Sequence, residues 1–193
     1  MVGFYIALGK QGSGKTLFIT KCLVDEYKKN PSLRIFSNYN LFGIDFTPIS
    51  FDIKKENDRV KICNGKEKQV LDILDILDQN ENYFNNSIML IDEIHTYFDS
   101  LDFMKANNRK IQKFFSQLRK RNILLLATTQ YLLNLDVRIR RQLFYCFQMT
   151  RLNDNLFECE VNEIDGYYTK YIRTEVFDLK EYYNYYDTNE IIK

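Results

Sequence analysis

Residues Gly9 to Thr16 read GKQGSGKT and fill every fixed position of G-x-x-x-x-G-K-S/T, a pattern in which a glycine-rich loop surrounds nucleotide phosphates. The glycines let backbone N–H groups point inward as an anion-binding nest, and the following helix presents the positive end of its dipole. We expect Lys15 to reach the β- and γ-phosphates and the Thr16 hydroxyl to ligate Mg²⁺. The residues predicted to bind ATP are Gly9, Lys10, Gln11, Gly12, Ser13, Gly14, Lys15 and Thr16.

The residues on either side of this loop suit such a site. The apolar run Phe4 to Leu8 predicts a strand before the loop, and the pattern of Leu17 to Tyr27 predicts a helix after it. A simple Gly/Ser turn between a strand and a helix is the alternative, but the complete pattern in this context favours nucleotide binding.

A second candidate group, Asp92-Glu93, follows the apolar run Ser87 to Ile91. Parallel sheets bind ligands at the carboxyl ends of their strands, so we expect both carboxylates beside the loop. Asp92 would hold Mg²⁺, directly or through water, and Glu93 would orient and activate water for hydrolysis. A nucleotide kinase does not need the second carboxylate, which favours hydrolysis. An acidic pair that caps a helix is the alternative.

Gln130 follows the next apolar strand, Ile123 to Thr128. Its amide both donates and accepts hydrogen bonds, so we predict that it senses the γ-phosphate and positions water. A turn residue is the alternative. His95, in the string Asp-Glu-Ile-His, is predicted to make a local packing or polar contact.

Two arginine clusters could stabilise charge on the transferred phosphoryl group, a role that a neighbouring subunit can fill. Arg119 ends a basic helical pattern, and Arg138, Arg140 and Arg141 lie close together further along the chain. These side chains could instead contact nucleic-acid phosphates or lie on a solvated surface, and the sequence leaves the roles open.

Charge is segregated along the chain, although the formal net charge is only +1. Residues 103 to 151 carry eleven Lys and Arg and one acid, a charge of +10; the other sixteen basic and twenty-five acidic residues make −9. This asymmetry suggests a face for a polyanion, and a solvated helix face is an equal alternative. The residues predicted to contact double-stranded DNA are Lys105, Arg109, Lys110 and Lys113.

Apolar runs alternate with helical patterns as far as Thr128. The predicted strands are Gly3–Leu8, Leu33–Asn38, Ile88–Ile91 and Ile123–Thr128. The predicted helices are Thr16–Lys28, Glu67–Leu77 and Asn108–Arg121. This alternation predicts an α/β fold with a parallel sheet.

The pattern changes after Thr128, where a short helix or loop is predicted over Tyr131–Leu143. Further strands are predicted at Phe144–Met149, Leu156–Ile164 and Tyr168–Phe177. A hairpin turn at Asp165-Gly166 joins the last two, which predicts an antiparallel addition to the core. We expect one domain with a core over about 1–150 and a C-terminal hairpin and tail over 151–193. The Tyr/Asn-rich end, Lys180–Lys193, is expected to be an arm or a docking tail.

The composition of the chain argues against a membrane-spanning protein, a secreted protein and a zinc protein. With 193 residues and 45% hydrophobic residues the chain can bury one core, and no run approaches the ~18–20 apolar residues of a membrane span. The start has no signal-peptide layout. Four scattered cysteines and a single His argue against zinc and for reduced thiols. We expect a cytoplasmic protein, in the host cytoplasm or associated with the virion if it is viral.

The order GKQGSGKT, MLIDE, SQLRKRNILLLATTQ and LDVRIRR resembles the FtsK/HerA superfamily of DNA-pumping ATPases, and within it the zonula occludens toxin-like and viral genome-packaging ATPases. The resemblance covers about residues 1–149. It implies a P-loop NTPase fold of the RecA/FtsK-HerA type, with a mostly parallel sheet flanked by helices. The antiparallel strands would be added at the C-terminal end.

The resemblance also implies a homo-oligomeric ring, a hexamer or pentamer, or assembly at a capsid or portal protein. An arginine near 119 or 138–141 would act across the subunit interface. Lys10 matches an extra lysine that some ParA-like ATPases extend across a dimer, although Gln11 departs from the glycine those proteins prefer. The site within one subunit would consist of Lys15, Thr16, Asp92, Glu93 and Gln130.

From these features we expect a soluble, Mg²⁺-dependent ATPase that translocates double-stranded DNA, such as a viral genome-packaging motor. The zonula occludens toxin-like proteins of filamentous phages carry a membrane span, and none is readable here, which favours packaging. An ATPase for phage morphogenesis or secretion is the alternative, and a small-molecule kinase is a third reading.

Overall fold

The computed structural model describes residues 2–51, 59–98, 107–165 and 168–186. The strands are β1 (Gly3–Leu8), β2 (Arg34–Ser37), β3 (Thr47–Ser50), β4 (Val60–Cys63), β5 (Lys66–Gln69), β6 (Leu71–Asp72), β7 (Ser87–Ile91), β8 (Ile123–Thr129), β9 (Leu143–Arg151), β10 (Leu156–Asp165) and β11 (Tyr168–Asp178). The helices are α1 (Lys15–Lys29), α2 (Ile73–Gln79), α3 (Asn107–Ser116) and α4 (Val137–Arg140). Short 3₁₀ helices occupy Ile94–Thr96, Leu132–Asn134 and Lys180–Tyr185.

Nine of the strands form one sheet, in the order β11-β10-β9-β1-β8-β7-β2-β3-β6. The neighbours from β9 to β6 run parallel, whereas β10 and β11 run antiparallel to their neighbours. Parallel strands place their carboxyl ends at one edge, so the segments that follow β1, β2, β7 and β8 meet there. The predicted α/β fold, with antiparallel strands at the C-terminal end, is confirmed.

Strand β1 lies inside the sheet with both of its faces buried. Phe4 and Ile6 join the hydrophobic core on the side of α2 and α3, while Tyr5 and Ala7 join the core on the side of α1. Successive strand residues point to opposite faces, so an almost continuous apolar run is what this position requires. The loop that leaves β1 is therefore anchored to the centre of the molecule.

The predicted helix Glu67–Leu77 is wrong in its first half. Residues before Val70 belong to an antiparallel hairpin of β4 and β5, whose turn is Asn64-Gly65 with φ of 54° and 73°. Positive φ at both turn residues is the type I′ geometry that Asn-Gly favours. Helix α2 begins only after Asp72, whose carboxylate accepts the Leu74 N–H at 2.8 Å.

The antiparallel addition consists of β10 and β11, as expected, because β9 pairs in parallel with β1 and belongs to the core. The segment between β8 and β9 crosses over β1, so β9 pairs with the other edge of β1 and runs in the same direction as β1. Strand β3 was not predicted, since it is four residues long and contains Pro48. Helix α3 ends at Ser116, before the predicted Arg121, and a turn closes at Asn122 with φ of 53°.

Candidate nucleotide-binding site

The phosphate loop, Gly9 to Thr16, connects β1 to α1 at the carboxyl edge of the sheet. Gly14 has a φ of 87°, and a Cβ there would lie 2.5 Å from the Phe157 ring. Gly9 has a φ of 147°, and a Cβ there would lie 2.6 Å from the Met149 carbonyl oxygen. Only glycine fits both positions, so the loop packs tightly against β9 and β10.

Lys15 is the first residue of α1 and is buried. Its Nζ donates to the Lys10 carbonyl at 3.2 Å and lies 3.9 Å from Glu93 Oε1. The ammonium group therefore stands between the loop and the acidic pair. The Ser13 Oγ is buried and has no hydrogen-bond partner among the described residues, so the loop presents a polar atom in addition to its lysine.

Thr16 and Asp92, both predicted to hold Mg²⁺, lie together: the Thr16 hydroxyl donates to Asp92 Oδ1 at 2.9 Å. The Thr128 hydroxyl donates to the same oxygen. Burial raises the pKa of Asp92, against the opposing effects of these two hydrogen bonds and of Lys15. Hydroxyl and carboxylate oxygens are ligands that Mg²⁺ accepts, usually completed by waters and substrate phosphates, so the pair fits this ion.

Asn38, at the end of β2, holds the backbone of Asp92 and was missed by the sequence reasoning. Its amide Nδ2 donates to the Asp92 carbonyl at 2.9 Å, and its Oδ1 accepts the Asp92 N–H at 2.8 Å. The Asn38 side chain thus extends the row of hydrogen bonds between β2 and β7 beyond the last backbone pair. Its position after a buried parallel strand was the available signal.

Glu93 has a left-handed backbone conformation, with φ of 50°, and its N–H donates to Thr128 Oγ1 at 2.9 Å. Burial, and then the Asp92 charge, raise the pKa of its carboxyl group, while Lys15 and His95 lower it. The Glu93 Oε2 is buried and accepts no hydrogen bond from the described residues, although His95 Nδ1 lies 3.2 Å away. The carboxylate is therefore close to Lys15 and incompletely bonded.

His95 makes a local polar contact, as expected: its Nδ1 lies 3.0 Å from Thr129 Oγ1. Gln130 comes after the end of β8, is exposed, and is not among the described residues that line the cavity around Lys15, Asp92 and Glu93. The β8 residue that touches the acidic pair is Thr128. A role for Gln130 as γ-phosphate sensor stays a prediction.

Two of the predicted arginines, Arg119 and Arg141, lie away from the loop of their own chain. Arg119 packs beside Gly3, at the opposite end of β1, with its guanidinium 5.0 Å from the centre of the Phe144 ring. Arg141 lines a cavity shared with Arg119. Arg138 donates from Nε and Nη2 to the Asp136 carboxylate at 3.0 Å. Action across a subunit interface stays a prediction for all three.

The basic segment faces acidic neighbours. Lys110 forms an ion pair with Asp78 of α2, and Lys113 pairs with Glu81 at 2.6 Å. Arg109 is exposed on α3, and Lys105 lies outside the described residues. Exposed ion pairs contribute only ~0–1 kcal/mol, so the lysines stay available to a stronger ligand, but the acids reduce the local positive field. DNA contact by these residues stays a prediction.

A cavity of about 310 Å³ opens above the loop. Its lining includes the candidate residues Lys15, Asp92 and Glu93, together with residues that the sequence did not indicate. These residues are Tyr39, Arg151, Phe157, Tyr183 and Tyr186. The aromatic residues come from distant segments, which no local pattern links to the loop.

Within the described ranges, no helix combines the length and apolar character needed to cross a membrane. Among groups of His, Cys, Asp and Glu in the same ranges, none has three members arranged to hold a metal ion. A Mg²⁺ ion at Thr16 and Asp92 does not need such a cluster, because this ion is usually bound through one or two carboxylates plus phosphates and waters.

The fold is shared with several solved structures. The N-terminal domain of zonular occludens toxin from Neisseria meningitidis matches with a TM-score of 0.68 and 19% identity, covering 97% of this chain and 100% of that one. The genome packaging NTPase B204 of Sulfolobus turreted icosahedral virus 2, in complex with AMP, has a TM-score of 0.55, 15% identity and coverage of 89% and 96%. The DNA-packaging ATPase B204 from Sulfolobus turreted icosahedral virus has a TM-score of 0.53, 16% identity and coverage of 88% and 96%.

A search of the curated proteins finds no significant match. The family model described as zonular occludens toxin (Zot) matches residues 3–178. This match runs past residue 149, the limit of the resemblance seen in the sequence, and takes in β10 and β11. The resemblance to zonula occludens toxin-like proteins is thereby confirmed, and the chain belongs to the zonular occludens toxin (Zot) family.

Proposed function

We propose that this chain is a Mg²⁺-dependent ATPase. The observation that carries the proposal is the meeting of the Thr16 hydroxyl and the Asp92 carboxylate, 2.9 Å apart, beside the buried Lys15 of a complete phosphate loop. The loop would bind the phosphates of ATP, and Lys15 would neutralise charge on the β- and γ-phosphates. Thr16 and Asp92 would hold Mg²⁺, which when bound supplies further neutralisation of phosphate charge.

Glu93 is the residue that would turn binding into hydrolysis. Its Oε1 lies 3.9 Å from Lys15 Nζ, and its raised pKa makes it a stronger base than an ordinary glutamate. The water oxygen would attack the γ-phosphorus as the bond to the β-phosphate oxygen breaks. The products would be ADP and inorganic phosphate.

Phosphate release and ATP binding, measured on the same proteins, test this activity. We expect Lys15→Ala to lose both binding and hydrolysis, because it removes the charge that faces the phosphates. Glu93→Gln should still bind ATP but hydrolyse it roughly 10²–10⁴-fold more slowly, the usual contribution of a general base. Wild-type protein that binds ATP yet releases no phosphate, with or without DNA and under conditions that form oligomers, would contradict the proposal.

We further propose that hydrolysis drives translocation of double-stranded DNA by a ring of subunits, as in viral genome packaging. The charge of +10 over residues 103 to 151 and the exposed Arg109 support a DNA-facing surface. The similarity in fold to B204, a genome packaging NTPase, is consistent with it.

A second candidate is an ATPase for phage morphogenesis or secretion that acts on protein or membrane partners. Two observations favour it: Lys110 and Lys113 pair with acidic residues of the same chain, and the family match is to Zot proteins. A small-molecule kinase is a weaker alternative, because it leaves Glu93 without a role.

Salt dependence of DNA binding distinguishes the two main candidates. Each phosphate contact that is lost should lower the slope of log affinity against log salt by about one. We expect this change for Arg109→Ala and not for Lys170→Ala, a control on the exposed β11. An affinity for DNA that does not depend on salt, or no affinity at all, would favour the second candidate.

A further inference from the structure

Several residues that line the nucleotide cavity come from the end of β9 and from the segments that follow it. Phe157 of β10 packs against Gly14 of the loop. The Arg151 guanidinium lies 6.0 Å from the centre of the Phe157 ring. The Tyr183 hydroxyl donates to the Asp154 carbonyl at 2.7 Å, which holds this tyrosine beside the turn between β9 and β10. Arg151, Phe157 and Tyr183 all line the cavity.

The C-terminal segment, residues 180 to 186, is docked on the chain's own core. The Tyr182 hydroxyl donates to Asp25 Oδ1 of α1 at 3.1 Å. The Phe42 N–H donates to the Tyr185 carbonyl at 2.8 Å, and Tyr186 forms a β-bridge with Leu41. The expected arm or docking tail is thus, over these residues, a fixed wall of the cavity.

These lining residues and the charged residues of the cavity form two groups with different chemistry. Lys15, Asp92 and Glu93 are charged and suit phosphates, whereas Phe157 and Tyr183 are aromatic and Arg151 has a planar cation. Nucleobases stack on aromatic rings and on guanidinium planes, and such stacking tolerates any base. The group of Arg151, Phe157 and Tyr183 therefore has the chemistry of a base-binding surface.

We propose that Tyr183, together with Arg151 and Phe157, forms the subsite for the nucleobase, and that the C-terminal segment is part of the nucleotide site. The inference rests on the proposed function only in taking a nucleoside triphosphate as the ligand. Because binding equilibria are reciprocal, the base and the segment stabilise each other: the docked segment raises nucleotide affinity, and bound nucleotide holds the segment in place.

Comparison of ATP with inorganic tripolyphosphate tests the subsite. Tyr183→Ala should weaken ATP binding about tenfold, the order expected for a lost stacking partner. It should leave tripolyphosphate binding unchanged, since that ligand has no base. Tyr183→Phe, which keeps the ring and loses only the hydrogen bond to Asp154, should lose less ATP affinity than Tyr183→Ala. Tyr171→Ala, an exposed tyrosine on β11, is the matched control. Equal losses for both ligands, or none for either, would overturn the proposal.

Limited proteolysis tests the reciprocal effect at Lys180, a trypsin site where the segment begins. ATP should slow cleavage after Lys180, and tripolyphosphate at a saturating concentration should not. Equal protection by the two ligands would refute the contribution of the base. Both experiments measure binding alone, so absence of hydrolysis would contradict the proposed function without affecting this one.

Discussion

Glu93 combines two unfavourable features at one residue. A non-glycine residue in the left-handed region costs of order 1–2 kcal/mol, and this one also has a carboxylate whose burial disfavours ionisation. Thr128 stabilises the backbone by accepting the Glu93 N–H. Strain of this kind persists where the surrounding structure enforces it, and here it directs the carboxylate toward Lys15.

The raised pKa of Glu93 makes the stability of the protein depend on pH. The folded state binds the Glu93 proton more tightly than the unfolded state, so the stability tied to this proton is fully present below the ordinary pKa of a glutamate. It is lost as pH rises through the folded-state pKa. We expect Glu93→Gln to have a higher melting temperature than wild type at pH 7, with a difference that shrinks toward pH 4.

Thermal unfolding followed by circular dichroism between pH 4 and 8, without nucleotide, checks this effect. Glu67→Gln, an exposed glutamate on β5, serves as control. A Glu93→Gln variant that is less stable than wild type at pH 7 would show that the carboxylate is net stabilising, contrary to the prediction.

Two glycines of the loop should differ in their tolerance of alanine. Gly12 and Gly14 both have positive φ, but a Cβ at Gly12 meets nothing within 4 Å, whereas one at Gly14 would lie 2.5 Å from Phe157. Gly12→Ala should lower the free energy of unfolding by about 1–2 kcal/mol, the strain of the backbone alone. Gly14→Ala should lower it by roughly 1–3 kcal/mol more, because it overpacks the site. Urea unfolding measures both, and equal losses would contradict the role of Phe157.

At the level of elements, α2 depends on its N-cap. The Asp72 carboxylate accepts the N–H groups of Leu74 at 2.8 Å and Asp75 at 3.3 Å. Asp72→Ala should lower the free energy of unfolding by about 1 kcal/mol, the usual loss for an N-cap aspartate. Asp78→Ala removes only an exposed ion pair with Lys110 and should have little effect. Urea unfolding that ranks Asp78→Ala as the more damaging change would contradict this assignment.

The sequence predicts the local patterns of the site, but it does not place the start of α2. The phosphate loop and the Asp92-Glu93 pair were predictable because each is a local pattern after a buried strand. The helix predicted from Glu67 is wrong in its first half because the apolar spacing that fits a helix begins only at Val70, whereas Asn64-Gly65 is the signal of a hairpin turn. Hairpin and helix meet within a few residues, and periodicity alone cannot place that boundary.

At the scale of the whole molecule, the site draws on β1, β2, β7 and β8 and on residues as distant as Tyr186. The sequence could predict that the parallel strands converge, because their carboxyl ends share one edge. It could not predict Tyr183, which is placed by a long-range contact with Asp154. For Asn38 the position after a buried strand indicates the right edge of the sheet, but not the hydrogen bonds to Asp92. The parallel pairing of β9 with β1 was likewise a property of chain crossing and not of the residues in β9.

Mixed subunits should reveal any catalytic arginine that acts in trans. In the described structure, Arg119, Arg138 and Arg141 do not line the nucleotide cavity of their own chain. If one of them stabilises the transition state, its Ala variant should keep ATP affinity but lose about 10³–10⁵-fold in turnover. Mixing that variant with Lys15→Ala should then restore phosphate release, because some interfaces combine one intact loop with one intact arginine. No recovery for any of the three would contradict action across an interface.

The close approach of the phosphate loop to the last strands has a mechanical consequence. Gly9 stands against the Met149 carbonyl and Gly14 against Phe157, with no room for even a methyl group at either point. Densely packed contacts of this kind transmit displacement instead of absorbing it. A force applied to the antiparallel pair β10 and β11 would therefore be transmitted to the phosphate loop through these contacts. A change in the conformation of the loop would displace the pair through the same contacts.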